Sequence, residues 1–190
     1  MPSSGSVLVI AATDRELAMG GAWHSALCGV GPVEAAAATA AAIARERPRA
    51  ILHVGIAGAR RKAKIAPGTL VIGSESRYCD LALRNPFAPR LVTPNSALVQ
   101  ALQRAIPAAL VRPIGTSARV GGTKECEVEA MEGFAVLRAA ELAEIPAIEV
   151  RAISNEIEEE DRARWHFDTA FRAIVDATPA LVAELKRCVS

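Results

Sequence analysis

Four short runs rich in Val, Ile and Leu punctuate the chain: Val7 to Ala11, Ile51 to Val54, Leu70 to Ile72 and Ile148 to Ile153. Their brevity and β-branched content predict buried central strands. Between and after them the pattern predicts helices over Val33 to Arg47, Ser96 to Ala105, Gly133 to Ala143 and Thr169 to Arg187, with Pro32 suited to a first turn. Strands alternating with helices predict an α/β fold, a three-layer sandwich around a central mixed sheet. Ligands of such sheets bind in a crevice beyond the carboxyl ends of the strands. Three segments fall there: Ala12-Thr13-Asp14-Arg15-Glu16, Gly55-Ile56-Ala57-Gly58 and Ser154-Asn155.

One polar position breaks the pattern inside VEAMEGFAV, Val128 to Val136. At about 100° per residue, Arg138, Glu141 and Glu144 mark one face of the helix starting there, and Glu132 points roughly the opposite way. Its helical neighbours are Ala135, Val136, Ala139 and Ala140, so it faces the protein. A carboxylate so placed needs partners or a chemical role. Taken singly, the other candidates read more plainly. Glu16 suits a solvated first helical turn, favoured by the macrodipole. Asn155 suits a cap or turn ahead of the acidic run Glu156, Glu158, Glu159, Glu160, Asp161, which faces solvent or anchors the basic residues after it. Gly29-Val30-Gly31-Pro32 and Gly55-Ile56-Ala57-Gly58 lack the lysine and spacing of a nucleotide-phosphate loop. Each reads first as a tight strand-to-helix connection, with glycines that still admit close approach to a ligand. Trp165 reads as packing of the last helix against the sheet.

Composition narrows the class. With 190 residues, 51% hydrophobic and 23% charged, the chain suits one globular domain over 1–190. Its net charge of +1 comes without a basic stripe interleaved with aromatics, which argues against a nucleic-acid surface. A small molecule or another subunit is the expected partner. Cys28, Cys79, Cys126 and Cys188 show no CxxC spacing, so neither a zinc ribbon nor a redox dithiol is suggested, and reduced cytoplasmic thiols are the default. No basic stretch precedes the first apolar run, which is too short to span a membrane.

The segments VLVIAATDREL, CGVGPVEAAAATAAAI, ILHVGIAGA, SRYCD and VEAMEGFAV, followed by IPAIEVRAISN, stand in an order and spacing that resembles the purine nucleoside phosphorylase and nucleosidase superfamily over most of the chain. The Met-Glu pair and the later Val-Arg-Ala-Ile-Ser-Asn strand end are its most specific parts. VRAISNEIEEEDRARWHFDTAF, together with MEGF, resembles the futalosine hydrolase subfamily. The resemblance implies a nucleoside phosphorylase-like fold and release of hypoxanthine from a nucleoside intermediate of menaquinone biosynthesis. It implies no cofactor and no metal, and a homodimer or higher homo-oligomer.

It also implies roles. Glu132 stands at the family's ribose-binding glutamate and Met131 at the apolar residue beside the sugar, while Glu16 matches the water-activating glutamate of the nucleosidases. Asn155 stands where methylthioadenosine nucleosidases carry an aspartate that protonates adenine and where 6-oxopurine phosphorylases use asparagine, which favours hypoxanthine. An Asn amide supplies the donor and acceptor that the O6, N7 and N1 atoms of hypoxanthine require. Gly55, Ile56 and Val120 are expected at the substrate. Related phosphorylases carry an arginine where this chain has His53 and a Ser or Thr where it has Ile56, so water is favoured as nucleophile, with Arg77 left as a candidate at the site. Arg162 or Arg164 is a candidate partner for the benzoate carboxylate of futalosine.

Two segments depart from the family pattern. The stretch from Ser117 to Glu129, which holds Arg119 and Val120 near the base, is short, and the loop after Asp80 with Asn85-Pro86-Phe87-Ala88-Pro89 is abbreviated. Such trimming either opens the pocket or marks a paralogue with a changed or lost substrate. Three readings stand at this point: a purine nucleosidase of the futalosine hydrolase kind; a methylthioadenosine-type nucleosidase or a nucleoside phosphorylase on the same fold; and a non-catalytic purine-binding relative.

Overall fold

A computed structural model describes residues 7–17, 21, 23–83 and 87–189, so Asn85 and Pro86 of the abbreviated loop lie outside the described residues. The four predicted strands are β1 (Val7–Ala11), β3 (Ala50–Ala59), β4 (Leu70–Tyr78) and β8 (Ala147–Glu156). Four more were not predicted: β2 (His24–Leu27), β5 (Leu91–Val92), β6 (Leu110–Thr116) and β7 (Val128–Ala130). The helices are α1 (Pro32–Glu46), α2 (Ser96–Ala105), α3 (Gly133–Leu142) and α4 (Phe167–Cys188). No helix among the described residues is long and apolar enough to cross a membrane.

β1 lies between β2 and β3, and β3 also takes β8, all in parallel. β8 then pairs antiparallel with β4, β4 and β7 run parallel to β6, and β7 returns antiparallel to β3. The mixed sheet therefore closes on itself: β3, β8, β4, β6 and β7 form a ring, with β2 and β1 leaving it on one side and β5 on the other. Ala57, Ala59, Val71, Ile114, Val128, Ala130 and Ile153 form one buried cluster of this ring. Against one face lie α2 and α4, whose Leu102, Ile174 and Leu185 meet Val9, Leu52 and Val54; α1 and α3 cover the other, with Ala35, Val136 and Ala140 against Leu8, Ile10 and Ile51. Each Leu, Ile or Val buried in this way contributes about 1.5–3 kcal/mol relative to exposure. These three layers hold the predicted strands covered on both faces.

Two local readings are corrected. Gly55-Ile56-Ala57-Gly58 is no strand-to-helix turn but the continuation of β3, paired with β8 through a register shift between Ala57 and Gly58. The glycine at 55 answers a steric need instead: a Cβ there would overlap Arg151 Nη1 and stand 3.0 Å from Glu16 Oε1. Ser154 and Asn155 likewise continue β8 rather than cap it. Gly29-Val30-Gly31-Pro32, by contrast, does connect strand to helix, with φ of 72° at Gly29 and 93° at Gly31 and the proline in the first turn of α1.

Candidate active site

Because β1, β3 and β8 run parallel, their carboxyl ends deliver three segments to one cavity of about 250 Å³. Glu16, Ile56, Val120, Met131, Glu132 and Asn155 all line it. Gly55 lies behind that wall, against Arg151.

Glu16 ends a short 3-10 turn after β1 and is 4% exposed, not solvated. Its Oε2 accepts hydrogen bonds from the Thr13 backbone N–H at 2.8 Å and the Thr13 hydroxyl at 3.0 Å, a capping box, and its Oε1 accepts from the Ile56 N–H at 3.1 Å. Burial follows because β3 runs on past Val54 and presents that amide to the carboxylate.

Met131 and Glu132 link β7 to α3, with Glu132 just before the first helical turn. Its Oε1 accepts from the Gly31 N–H at 3.2 Å and its Oε2 pairs with Arg151 Nη1 at 3.3 Å. The first glycine-rich turn therefore gives an amide to a carboxylate of the protein. Burial pushes the Glu132 carboxyl above its ordinary 4.5, against the pull of Arg151 and the Gly31 amide. An acid raised in the folded state keeps its proton where the unfolded chain has lost it, so its contribution to stability declines as pH rises from 4.5 through the folded value. The difference in unfolding free energy between wild type and Glu132→Gln should accordingly move in favour of wild type as pH is lowered from about 8 to about 5. Urea titrations at the two pH values read this; a pH-independent difference would show that the carboxyl is not desolvated.

Behind these two carboxylates lies a network that sequence reasoning missed. Arg151 is 1% exposed. Its Nε donates to Glu149 Oε1 at 2.9 Å, Nη1 meets Glu132, and Nη2 lies 2.5 Å from His53 Nε2. Burial opposes the guanidinium charge, but Glu149, Glu132 and Glu16 outweigh it and raise the arginine's pKa. The second Glu149 oxygen has no hydrogen-bond partner, and the carboxylate occupies the space a Cβ on Gly133 would need, at the start of α3 where the macrodipole favours negative charge. A signal was present: Glu149 and Arg151 stand two apart in a buried strand, hence on one face, as opposite charges that must pair.

Asn155 is 6% exposed; its Oδ1 accepts from the Ser154 hydroxyl at 2.7 Å and its Nδ2 donates to the Glu156 carbonyl at 2.8 Å. One N–H and one lone pair of the amide remain for a ligand. Across the cavity, Val120 sits in the short connection between β6 and β7. Glu129 accepts the amides of Gly121 and Thr123 at 2.5 and 2.6 Å, and Asp80 accepts the Ser117 hydroxyl and the Ala118 amide, so two carboxylates hold that loop. At the mouth, Trp165, Phe167 and Phe171 form an aromatic lip, with Trp165 Nε1 donating to the Glu159 carbonyl at 2.9 Å. Trp165 thus serves the cavity wall beside its neighbour Phe167, 5.4 Å away, rather than the sheet. Arg162 lies over the Trp165 ring, Arg15 lies 4.3 Å over Phe171, and Arg164 pairs with Glu159. Arg77 pairs with Glu75 and does not line the cavity. The acidic run after Asn155 anchors basic side chains: Glu156 pairs with Arg61, and Glu158 with Arg60.

The model of the phosphorylase superfamily matches residues 17–187. A futalosine hydrolase of Streptomyces coelicolor is 34% identical over 193 aligned residues, which take in 86% of this chain and 80% of the relative. One of Thermus thermophilus is 31% identical over 180 residues, 82% of this chain and 79% of the relative. In fold, the chain is similar to a 5'-methylthioadenosine/S-adenosylhomocysteine nucleosidase of Colwellia psychrerythraea solved with adenine, with a TM-score of 0.82 at 22% identity, covering 94% of this chain and 95% of the other. A futalosine hydrolase mutant of Helicobacter pylori gives a TM-score of 0.78 at 15% identity, over 95% and 98% of the two chains.

Proposed function

The chain belongs to the phosphorylase superfamily, and on that premise we propose that it hydrolyses the N-ribosidic bond of a purine nucleoside, in the manner of a futalosine hydrolase. One observation carries water over phosphate as the nucleophile: among the described residues, Glu16, Glu129 and Glu132 line the cavity and no lysine or arginine does. Arg151, behind the wall, is already engaged by Glu149, Glu132 and His53. A phosphate anion would enter against like charges, whereas water meets no such cost.

Glu16 orients and deprotonates the water that attacks C1' of the ribose. The bond from C1' to the base nitrogen breaks, its electron pair leaves with the purine, and the base takes up a proton. Glu132 binds ribose hydroxyls and faces the positive charge that builds on the sugar, with Met131 beside it as apolar floor. Asn155 hydrogen-bonds the departing hypoxanthine. Two carboxylates about an oxocarbenium-like sugar follow the logic of glycoside hydrolysis, with nitrogen as leaving atom.

The finer reading is that futalosine is the substrate, that the step belongs to menaquinone biosynthesis, and that it takes place in the cytoplasm. The aromatic lip, with Arg15 and Arg162 laid on its rings, supports an arm that is flat and anionic, and four free cysteines support a reducing compartment. The test is incubation with futalosine, inosine and methylthioadenosine, with and without phosphate. Hypoxanthine from futalosine without phosphate is expected. Ribose 1-phosphate formed only with phosphate would overturn the hydrolase reading, adenine release alone would overturn the base assignment, and hypoxanthine binding without turnover of any nucleoside would make the chain a binder.

The assembly is a homodimer through α1 and α3. A groove of about 740 Å³ runs between them, floored by Ala36, Ala40 and Ala139 and flanked by exposed Val33 and Leu142. Val30, in the turn just before α1, lines the catalytic cavity, so a second copy on this face lies beside the cavity. Sedimentation velocity should return twice the monomer mass for wild type and a monomer for Leu142→Glu; a monomeric wild type sinks the idea.

A further inference from the structure

We infer that His53 is a positioning residue that sets the orientation of Arg151 and, through it, of the Glu132 carboxylate. The inference rests on the hydrolase reading above and deepens it. His53 is fully buried and does not line the cavity, so it has no direct reach to substrate. Its position is set by the sheet: it pairs in register with Ile10 on β1 and with Glu149 on β8, the neighbours on either side of β3.

The ring nitrogens face opposite kinds of partner. Nδ1 lies 3.0 Å from the Ile10 carbonyl, which only accepts, so Nδ1 carries the proton. Nε2 lies 2.5 Å from Arg151 Nη2, which only donates, so Nε2 is the bare nitrogen. Burial and the adjacent Arg151 hold the imidazole well below its ordinary 6.5, which keeps this neutral tautomer in place. The guanidinium is thereby fixed from three sides: Glu149 on Nε, His53 on Nη2, and Glu132 on Nη1. Remove the acceptor on Nη2 and the planar fork is free to turn, so Nη1 no longer holds Glu132 at the depth where the sugar becomes cationic. A misplacement of this kind costs rate in the transition state more than substrate binding.

Two variants separate the two nitrogens. In His53→Gln the side-chain oxygen reaches the Nε2 position and keeps an acceptor for Arg151; in His53→Asn the amide reaches only the Nδ1 position and keeps the Ile10 bond. Gln should retain kcat within about threefold, whereas Asn should lose about 10- to 100-fold in kcat with KM near wild type. Equal losses in the two, or a loss that follows the folded fraction in thermal melts, would reduce His53 to a structural role. Nitrogen NMR on the wild type gives a readout independent of turnover and of how the variants fold. A bare Nε2 on His53 and separate, slowly exchanging Nη signals from Arg151 are expected; a protonated Nε2 overturns the inference. Wild type that shows the bare Nε2 but hydrolyses no nucleoside would instead count against the hydrolase reading alone.

Discussion

Glu16→Gln should lower kcat for hypoxanthine release by about 10²–10⁴-fold, the usual worth of general acid or base assistance, with KM little changed. The fold survives but not untouched. Three donors converge on the wild-type carboxylate, from the Thr13 amide and hydroxyl and from the Ile56 amide. A glutamine has one oxygen, so its NH2 must face either Thr13 or the Ile56 N–H. That mismatch costs about 1–3 kcal/mol, which for a chain of this size lowers Tm by roughly 2–4 °C per kcal/mol. Steady-state kinetics beside a thermal melt separates the two effects. A variant that keeps wild-type kcat, or loses activity only as it unfolds, leaves Glu16 without the role of base.

Arg151→Met is expected to be the most destabilising single change in the site. It removes the cation and leaves Glu149, Glu132 and Glu16 facing one another in a buried space. Breaking one partner out of a buried ionic group costs about 3–5 kcal/mol. The loss should be pH-dependent in a defined sense. Without the guanidinium the Glu132 carboxyl rises further above its unfolded value, so the variant regains stability as pH falls toward 5 and loses it as pH rises. Adding Glu149→Gln should recover part of the loss at neutral pH, because one of the stranded charges is gone. Urea unfolding of the two variants at two pH values tests this, and a cost under about 1 kcal/mol at neutral pH would mean that the charges are not coupled as described.

The contrast between these residues explains what was legible in the sequence. Buried parallel strands such as β1 and β3 announce themselves by apolar runs, and α2 falls where the pattern places it. β6 does not, because Arg112 and Pro113 interrupt it at the register shift with β4, and β7 has only three residues. Glu132 stood out because a charge broke a helical phase, although the structure puts it just ahead of the helix. Glu149 and Arg151 were passed over although their i, i+2 spacing in a buried strand pairs them, because their link to Glu132 and His53 comes only from the fold. Gly55 was misread for a related reason: a glycine announces freedom of the chain, and here it marks space taken by side chains from elsewhere in the fold.

The closed ring of strands divides the site by how readily each part opens. β8, which carries Arg151 and Asn155, is hydrogen-bonded to β3 along one edge and to β4 along part of the other. Its central amides should therefore exchange with solvent only on global unfolding, which hydrogen-exchange mass spectrometry reads. The connection holding Val120 is fastened chiefly by the carboxylates of Glu129 and Asp80, so it opens at lower cost. In the proposed reaction Arg151 and Asn155 work from the firmest strand of the site, while the Val120 connection is the part of the wall that yields to admit the purine.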